Sequence, residues 1–159
     1  MEKKRSILII CKSFFPELSP RSFRATELAK EFARQGHEVT VMHHYKDYDY
    51  SEFLNENKIN LISYGPLQSR KIYIPLLKNI SHKVNRLLYF LLHYPDIEII
   101  WHLKKKLKTE IFYDLMISIA VPYPVHWGVA WARTRKNRIA KVWIADCGDP
   151  YMGDSADSF

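Results

Sequence analysis

Apolar residues in this chain form two kinds of segment that follow one another. Short continuous apolar runs indicate strands whose two faces are both covered. The five runs are "SILIIC", "HEVTVMHH", "INLISYG", "YDLMISIA" and "KVWIADC". Longer segments with helical spacing separate most of these runs. Strands that alternate with helices predict an α/β fold with a Rossmann-like, doubly wound parallel sheet, for which we expect the strand order 3-2-1-4-5.

The first predicted helix has recognisable signals at both ends. Ser19 is a plausible N-cap, and Pro20 then takes the first helical position. Gly36 can end the helix in a left-handed conformation. Between these residues, apolar side chains recur at helical spacing at Ala25, Leu28, Ala29 and Phe32.

Three further helices are predicted in the second half of the chain. The first runs from Leu76 to His93, with apolar residues on one face and residues such as Lys78 and His82 on the other. Pro95 ends this pattern. The other two helices are expected from Ile97 to Lys108 and from Val125 to Lys136.

The length of 159 residues, 47% of them hydrophobic, predicts a single folded domain over residues 1–159. Of two cysteines, Cys11 lies within an apolar run and is expected to be a buried thiol, which suggests a reducing compartment. The start "MEKKRS" precedes an apolar run too short for a signal peptide, so a cytoplasmic location is expected. No helix follows the last strand in "GDPYMGDSADSF", which suggests the first part of a longer protein.

The positive charge is concentrated in the middle of the chain. The formal net charge is +7, and the segment Gln68–Glu110 contributes nine basic minus three acidic residues, or +6. Such clustering suggests a polyanionic partner. A cationic amphipathic helix suits an anionic lipid surface, but a solvated face over an ordinary core is an equally common explanation. Nucleic acid ranks lower as a partner, because no recognised nucleic-acid-binding module accompanies the segment.

The loop after the first strand, "KSFFPELSP", contains no glycine. It therefore lacks both the dinucleotide fingerprint and the P-loop pattern, and NAD or ATP binding in those modes is not expected. A helix N-terminus near Ser19 remains, with Arg21 and Arg24 in the first turns. Backbone N–H groups and arginines there could hold a phosphate, or the arginines could be solvated surface residues.

Two long motifs in this chain resemble a known enzyme family. The first is "FFPELSPRSFRATELAKEFARQGHEVTVMH", and the second is "YDLMISIAVPYPVHWGVAWARTRKNRIAKVWIADCGDPY". Together with "YPDIEIIW" between them, they resemble the N-terminal domain of family-4-like glycosyltransferases of GT-B fold. "GHEVTV" alone is moderately specific, whereas the ordered set of motifs is more specific and covers most of the chain.

The resemblance implies a division of labour between two Rossmann-like domains. The N-terminal domain would shape the acceptor site, with its first loop facing the interdomain cleft. The nucleotide-sugar donor would bind mainly to a C-terminal domain that this sequence lacks. Many family members carry a glycine pair in the first loop beside the donor phosphates, where this chain has "LSPRS". That departure puts backbone contact with a donor phosphate in doubt. Arg21 is therefore the stronger candidate for contact with the phosphate.

A second departure concerns the family histidine just past the fifth strand. Gly148 aligns with that histidine and Asp149 with the aspartate that follows it, so no catalytic residue can be carried over. Asp146 and Asp149 follow a parallel strand, where open α/β sheets place ligands. They could bind sugar hydroxyls, or simply cap a loop.

The histidines suggest no metal site. His126 could line the acceptor pocket, although a lone histidine among aromatic residues is more often a packing residue. His43 and His44 are adjacent in a strand and point to opposite faces, which makes a poor chelate. No metal or other cofactor is expected.

The full enzyme would transfer a sugar from a nucleotide-sugar to a sugar or lipid-linked acceptor. A role in surface-polysaccharide synthesis, with the protein peripheral on the inner face of a membrane, is an expectation that rests on the resemblance. The isolated chain would be inactive. The rival hypothesis is a non-enzymatic Rossmann-like module that binds polyanions, either anionic lipid or nucleic acid, through residues 68–110.

Overall fold

Five parallel strands form one sheet in the order β3-β2-β1-β4-β5, which confirms the predicted fold class and strand order. The computed structural model describes residues 3–44, 47–75, 78–107 and 111–148. The strands are β1 (Ser6–Ile10), β2 (Glu38–His43), β3 (Ile59–Ser63), β4 (Tyr113–Ile119) and β5 (Ala140–Asp146). The helices are α1 (Pro20–Arg34), α2 (Ser51–Asn57), α3 (Lys78–Leu92), α4 (Ile99–Lys106) and α5 (Pro124–Ala132), with a 3-10 turn at Asp96–Glu98 before α4.

Helix α1 begins and ends as the sequence predicts. The Ser19 side chain accepts a hydrogen bond from the N–H of Ser22 at 3.1 Å, and Pro20 takes the first helical position. Gly36 has a φ of +86°, and the N–H of His37 donates to the carbonyl of Phe32 at 3.1 Å. These bonds satisfy backbone groups that the helix itself leaves unpaired.

The two faces of the sheet carry separate hydrophobic cores. On one face, α1 packs on the first two strands and on β4 through Ala25, Ala29, Ile7, Ile9 and Ile117. On the other, α4 and α5 pack through Leu103, Val125, Val129, Leu8 and Met116. Cys11 is buried in the first core, as expected. Because side chains alternate along a strand, neighbouring residues of one strand serve different cores.

Helices α2 and α5 differ most from the sequence prediction, and α4 begins at Ile99, two residues later than expected. Helix α2 was not predicted; Asp49 precedes it and accepts a hydrogen bond from the N–H of Ser51 at 2.9 Å. Helix α5 ends at Ala132 rather than at Lys136. The Asn137 amide donates to the Ala132 carbonyl at 2.9 Å, so a side chain satisfies the end of α5 and the chain turns away.

Helix α3 lies on the molecule in an unexpected orientation. Ser81 is its one buried residue among those described, whereas Ile80, Leu87, Phe90 and Leu91 are exposed. Val84 and Leu88, on the same side of the helix as Ser81, are only half-buried, so most of the apolar surface of α3 faces outwards. No helix in the described ranges is long and apolar enough to cross a bilayer.

The edge strand β5 has an open apolar face. Val142 and Ile144 are each 48% exposed, and no helix of the described part of the chain packs over them. They lie on the α1 side of the sheet, since they pair with Leu115 and Ile117. The expectation that this domain belongs to a longer protein remains a prediction.

Candidate functional site

The candidate site lies at the carboxyl edge of β1, β4 and β5. The strand order reverses between β1 and β4, and open α/β sheets bind ligands at such a point, outside the carboxyl ends of the strands. Both α1 and α5 begin at this edge, because each follows the carboxyl end of a parallel strand.

An ion pair joins the start of α1 to the end of β5. Nε of Arg24 donates to Oδ2 of Asp146, two residues that are 122 positions apart. Oδ1 of the same carboxylate accepts the N–H of Gly148 at 3.1 Å. The Asp146 side chain is only 13% exposed, so both of its oxygens serve this local network. Asp146 therefore holds Arg24 and the turn at Gly148 in place.

Arg21 lies against Gly148. A Cβ atom added to Gly148 would overlap the Arg21 guanidinium, and Gly148 itself has a φ of +70°. A side chain at position 148 would thus meet both an unfavourable backbone conformation and an occupied space. The Arg21 guanidinium therefore occupies the space that a side chain at position 148 would need.

His126 takes part in a network of polar contacts on the face of the sheet opposite α1, and its contact with Ser118 is buried. Its Nδ1 lies 2.8 Å from Oγ of Ser118, and Ser118 also accepts the indole N–H of Trp143 at 2.9 Å. Sγ of Cys147 lies 3.8 Å from Nε2 of His126. These bonds join β4, β5 and the first turn of α5. His126 is buried, as expected of a packing residue.

Burial also determines the charge of this histidine. Desolvation lowers the pKa of His126, although a hydrogen bond to the Asp146 backbone and the nearby Asp146 charge oppose that shift. The ring is therefore neutral around neutral pH. If the Ser118 hydroxyl donates to Nδ1, Nε2 carries the proton and faces Sγ of Cys147.

Sequence reasoning missed Lys12 and Asp96. Nζ of Lys12 lies 2.6 Å from Oδ1 of Asp96, and the two side chains are 32% and 14% exposed. The Lys12 carbonyl accepts a hydrogen bond from Nδ1 of His44 at 2.7 Å. Lys12 stands just past the carboxyl end of β1, and that position was the available signal. Its partner Asp96 is 84 residues away in the chain, so no local sequence pattern indicates the pair.

The structure thus brings four of the six predicted site residues together. Ser19, Arg21 and Arg24 lie at the start of α1, and Asp146 lies beside them. His126 approaches the same strand end from the other face, next to Cys147. Asp149 lies outside the described residues, so its predicted role stays a prediction.

A separate cavity of about 480 Å³ lies between the first loop, α1 and α2. Phe15 stacks on Phe53 there, with ring centroids 4.3 Å apart. The cavity is lined by residues of α1 such as Glu27 and Lys30, and the Arg24–Asp146 pair is not part of its lining. The described residues contain no group of three or more His, Cys, Asp or Glu that could hold a metal ion.

Comparison with known proteins supports the fold alone. Neither the protein-family profiles nor the curated proteins give a match. Among solved structures, the chain is similar to the C-terminal domain of a hydrogenase from Pyrococcus furiosus, with a TM-score of 0.50 and 14% identity over 92% of this chain and 95% of that one. At that identity the likeness is one of architecture, and the chain shares its α/β sheet arrangement with this domain.

Proposed function

We propose that this chain is the acceptor-side domain of a glycosyltransferase of GT-B fold. One observation carries the proposal: the two sequence motifs that resemble this family meet in space. Arg24 of the first motif pairs with Asp146 of the second, and Arg21 lies against Gly148. This contact lies at the ligand-binding edge of a sheet with the expected strand order.

In this proposal Arg21 binds an anionic group of the substrates, either a donor phosphate or an acidic acceptor. A guanidinium offers several N–H donors in a plane that matches phosphate and carboxylate oxygens. The start of α1 adds the positive end of a helix dipole on the same side. Ser19 supports the site indirectly, because its hydroxyl caps the helix.

Arg24 and Asp146 have a positioning role in this proposal. Each Asp146 oxygen already accepts a hydrogen bond from the protein, so the pair orients the start of α1 and the turn at Gly148. His126 holds the other face of the same strand end. Asp149 follows Gly148 directly, and we keep it as the candidate ligand for sugar hydroxyls.

The proposal is tested by measuring release of nucleoside diphosphate from a panel of nucleotide-sugars. A longer protein containing this chain and a second Rossmann-like half should release the diphosphate and transfer the sugar. The isolated 159-residue chain should not, since the donor half is absent from it. Robust transfer by the isolated chain would contradict this division of labour, and no transfer by the longer protein with any donor would contradict the function itself.

The second candidate is a non-enzymatic module that binds polyanions through residues 68–110. The concentration of basic residues in that segment favours it. A longer protein without a nucleotide-sugar-binding half would support the module, whereas such a half would support the transferase.

A further inference from the structure

The exposed surface of α3 combines a continuous apolar stripe with positive charge. Ile80, Leu87 and Leu91 are spaced by seven and four residues, which places them along one line of the helix. Leu87 is 56% exposed, Leu91 is 61% exposed, and Phe90 beside them is 63% exposed. Isolated exposed apolar residues are ordinary, but a stripe along one helix marks an interaction surface.

The side of α3 that faces the protein carries Ser81 and Asn85, together with the half-buried Val84 and Leu88. Oγ of Ser81 accepts the N–H of Ile74 at 2.9 Å. The Asn85 side chain accepts the N–H of Ile72 at 2.9 Å and donates to the Ile72 carbonyl at 2.6 Å. Ser81 and Asn85 are one helical turn apart, so they fix which side of α3 faces the protein. That attachment turns the apolar stripe outwards.

The charge of this region has a single sign. Residues 66–95 contain five Lys or Arg and no Asp or Glu. Lys83 and Arg86 lie on the exposed side of α3, within a turn of Leu87 and Phe90. The surface therefore offers apolar side chains and cations together.

Exposed tryptophans continue the surface beyond the end of α3. The His93 ring contacts the Trp127 ring edge-on, with centroids 4.8 Å apart. Trp131 is one turn further along α5, and Nζ of Lys104 lies 3.4 Å from its ring centroid. Tryptophan and lysine side chains of this kind are favoured where an apolar medium meets water.

We propose that this face docks on an anionic lipid bilayer, with Leu87, Phe90 and Leu91 entering the headgroup–acyl boundary and Lys83 and Arg86 contacting lipid phosphates. A nucleic acid would use the cations but not the leucines. A second copy of this chain would place cations opposite cations. An anionic bilayer accommodates both features. The inference goes beyond the proposed sugar transfer and does not depend on it.

The test is sedimentation of the purified protein with vesicles of phosphatidylcholine alone or mixed with phosphatidylglycerol. We expect binding to the anionic vesicles that weakens in about 0.5 M salt, where screening is strong. The variant L87Q/F90Q/L91Q should lose at least about tenfold in partitioning. The variant K83Q/R86Q should lose about 30-fold, since each basic residue near a charged bilayer contributes about fivefold.

Matched controls come from α1 and the loop before it. Leu18 and Phe23 are exposed apolar residues, and Lys30 and Arg34 are exposed cations, away from α3. The variants L18Q/F23Q and K30Q/R34Q should bind vesicles like the unaltered protein. Circular dichroism should show folded protein in every case, because all substituted side chains are exposed.

Equal binding to neutral and anionic vesicles, or losses in the controls as large as in the α3 variants, would overturn the proposal. The proposal would also be overturned if the protein bound no vesicles but formed a dimer in sedimentation velocity, and if L87Q/F90Q/L91Q dissociated that dimer. The proposal would likewise be overturned if the protein bound RNA but no vesicles, and if L87Q/F90Q/L91Q left the RNA binding unchanged.

Discussion

Replacing Gly148 by alanine tests the arrangement of the site directly. Gly148 has a φ of +70°, and an alanine in the left-handed region costs about 1–2 kcal/mol. The added Cβ would also overlap the Arg21 guanidinium, which must then move. A side chain forced from its preferred rotamer costs about 0.5–1.5 kcal/mol. The expected loss in free energy of unfolding is therefore about 1.5–3.5 kcal/mol.

Gly36 provides the matched control for this substitution. It has a φ of +86°, and a Cβ added there meets no heavy atom within 4 Å. Gly36→Ala should therefore lose only the backbone contribution. Urea denaturation of Gly148→Ala, Arg21→Ala and the double variant completes a thermodynamic cycle. With Arg21 shortened to alanine, the cost of Gly148→Ala should fall by about 0.5–1.5 kcal/mol, to the cost of Gly36→Ala.

Additive effects of the two substitutions would refute this reasoning, because they would show that Arg21 does not occupy the space beside residue 148. A Gly148→Ala protein as stable as the unaltered one would also refute it, since the left-handed backbone cost would then be absent.

Three further predictions concern the networks around the site. Ser118→Ala should lower the free energy of unfolding by about 2–4 kcal/mol in chemical denaturation, because it leaves His126 Nδ1 and the Trp143 indole N–H without their partner; a change within 0.5 kcal/mol would contradict the network. Stability should fall as pH drops below about 6.5, because burial lowers the native pKa of both His126 and His93 and the unfolded chain then binds more protons; each histidine contributes a slope of at most about 1.4 kcal/mol per pH unit, down to its lowered pKa. His126→Gln should reduce the slope and leave the His93 contribution, whereas an unchanged slope would show that His126 contributes nothing to it. Lys12→Met should destabilise the protein more than Lys30→Met, because it leaves the largely buried carboxylate of Asp96 without its cation; equal thermal melts would contradict that role.

Local signals determined most of what the sequence predicted correctly. Continuous apolar runs located the five strands, and Ser19 and Gly36 mark the ends of α1 through their own backbone chemistry. These features depend on residues close together in the chain. Helix α2, by contrast, has seven residues and no buried side chain, so it carries no apolar periodicity to detect.

The unpredicted features depend on contacts between distant residues. Periodicity identified two faces of α3, but not which one would face the protein. That is decided by hydrogen bonds in which Ser81 accepts from the N–H of Ile74 and Asn85 donates to the Ile72 carbonyl. The contact of Arg21 with Gly148 and the pair of Lys12 with Asp96 arise only when the sheet brings separate loops to one edge. Sequence motifs therefore predicted the residues of the candidate site, whereas the contacts between those residues required the fold.

The measurement that tests the central claim most directly is kcat/KM for sugar transfer, with Arg21→Ala made in a longer protein that contains this chain and the proposed donor-binding half. Loss of a charged hydrogen bond of about 1–3 kcal/mol predicts a decrease of about 5- to 150-fold. Arg34→Ala, at the other end of the same helix, is the control and should leave kcat/KM unchanged. Thermal melts should show that both variants remain folded. Wild-type kinetics in a folded Arg21→Ala protein would contradict the proposed site.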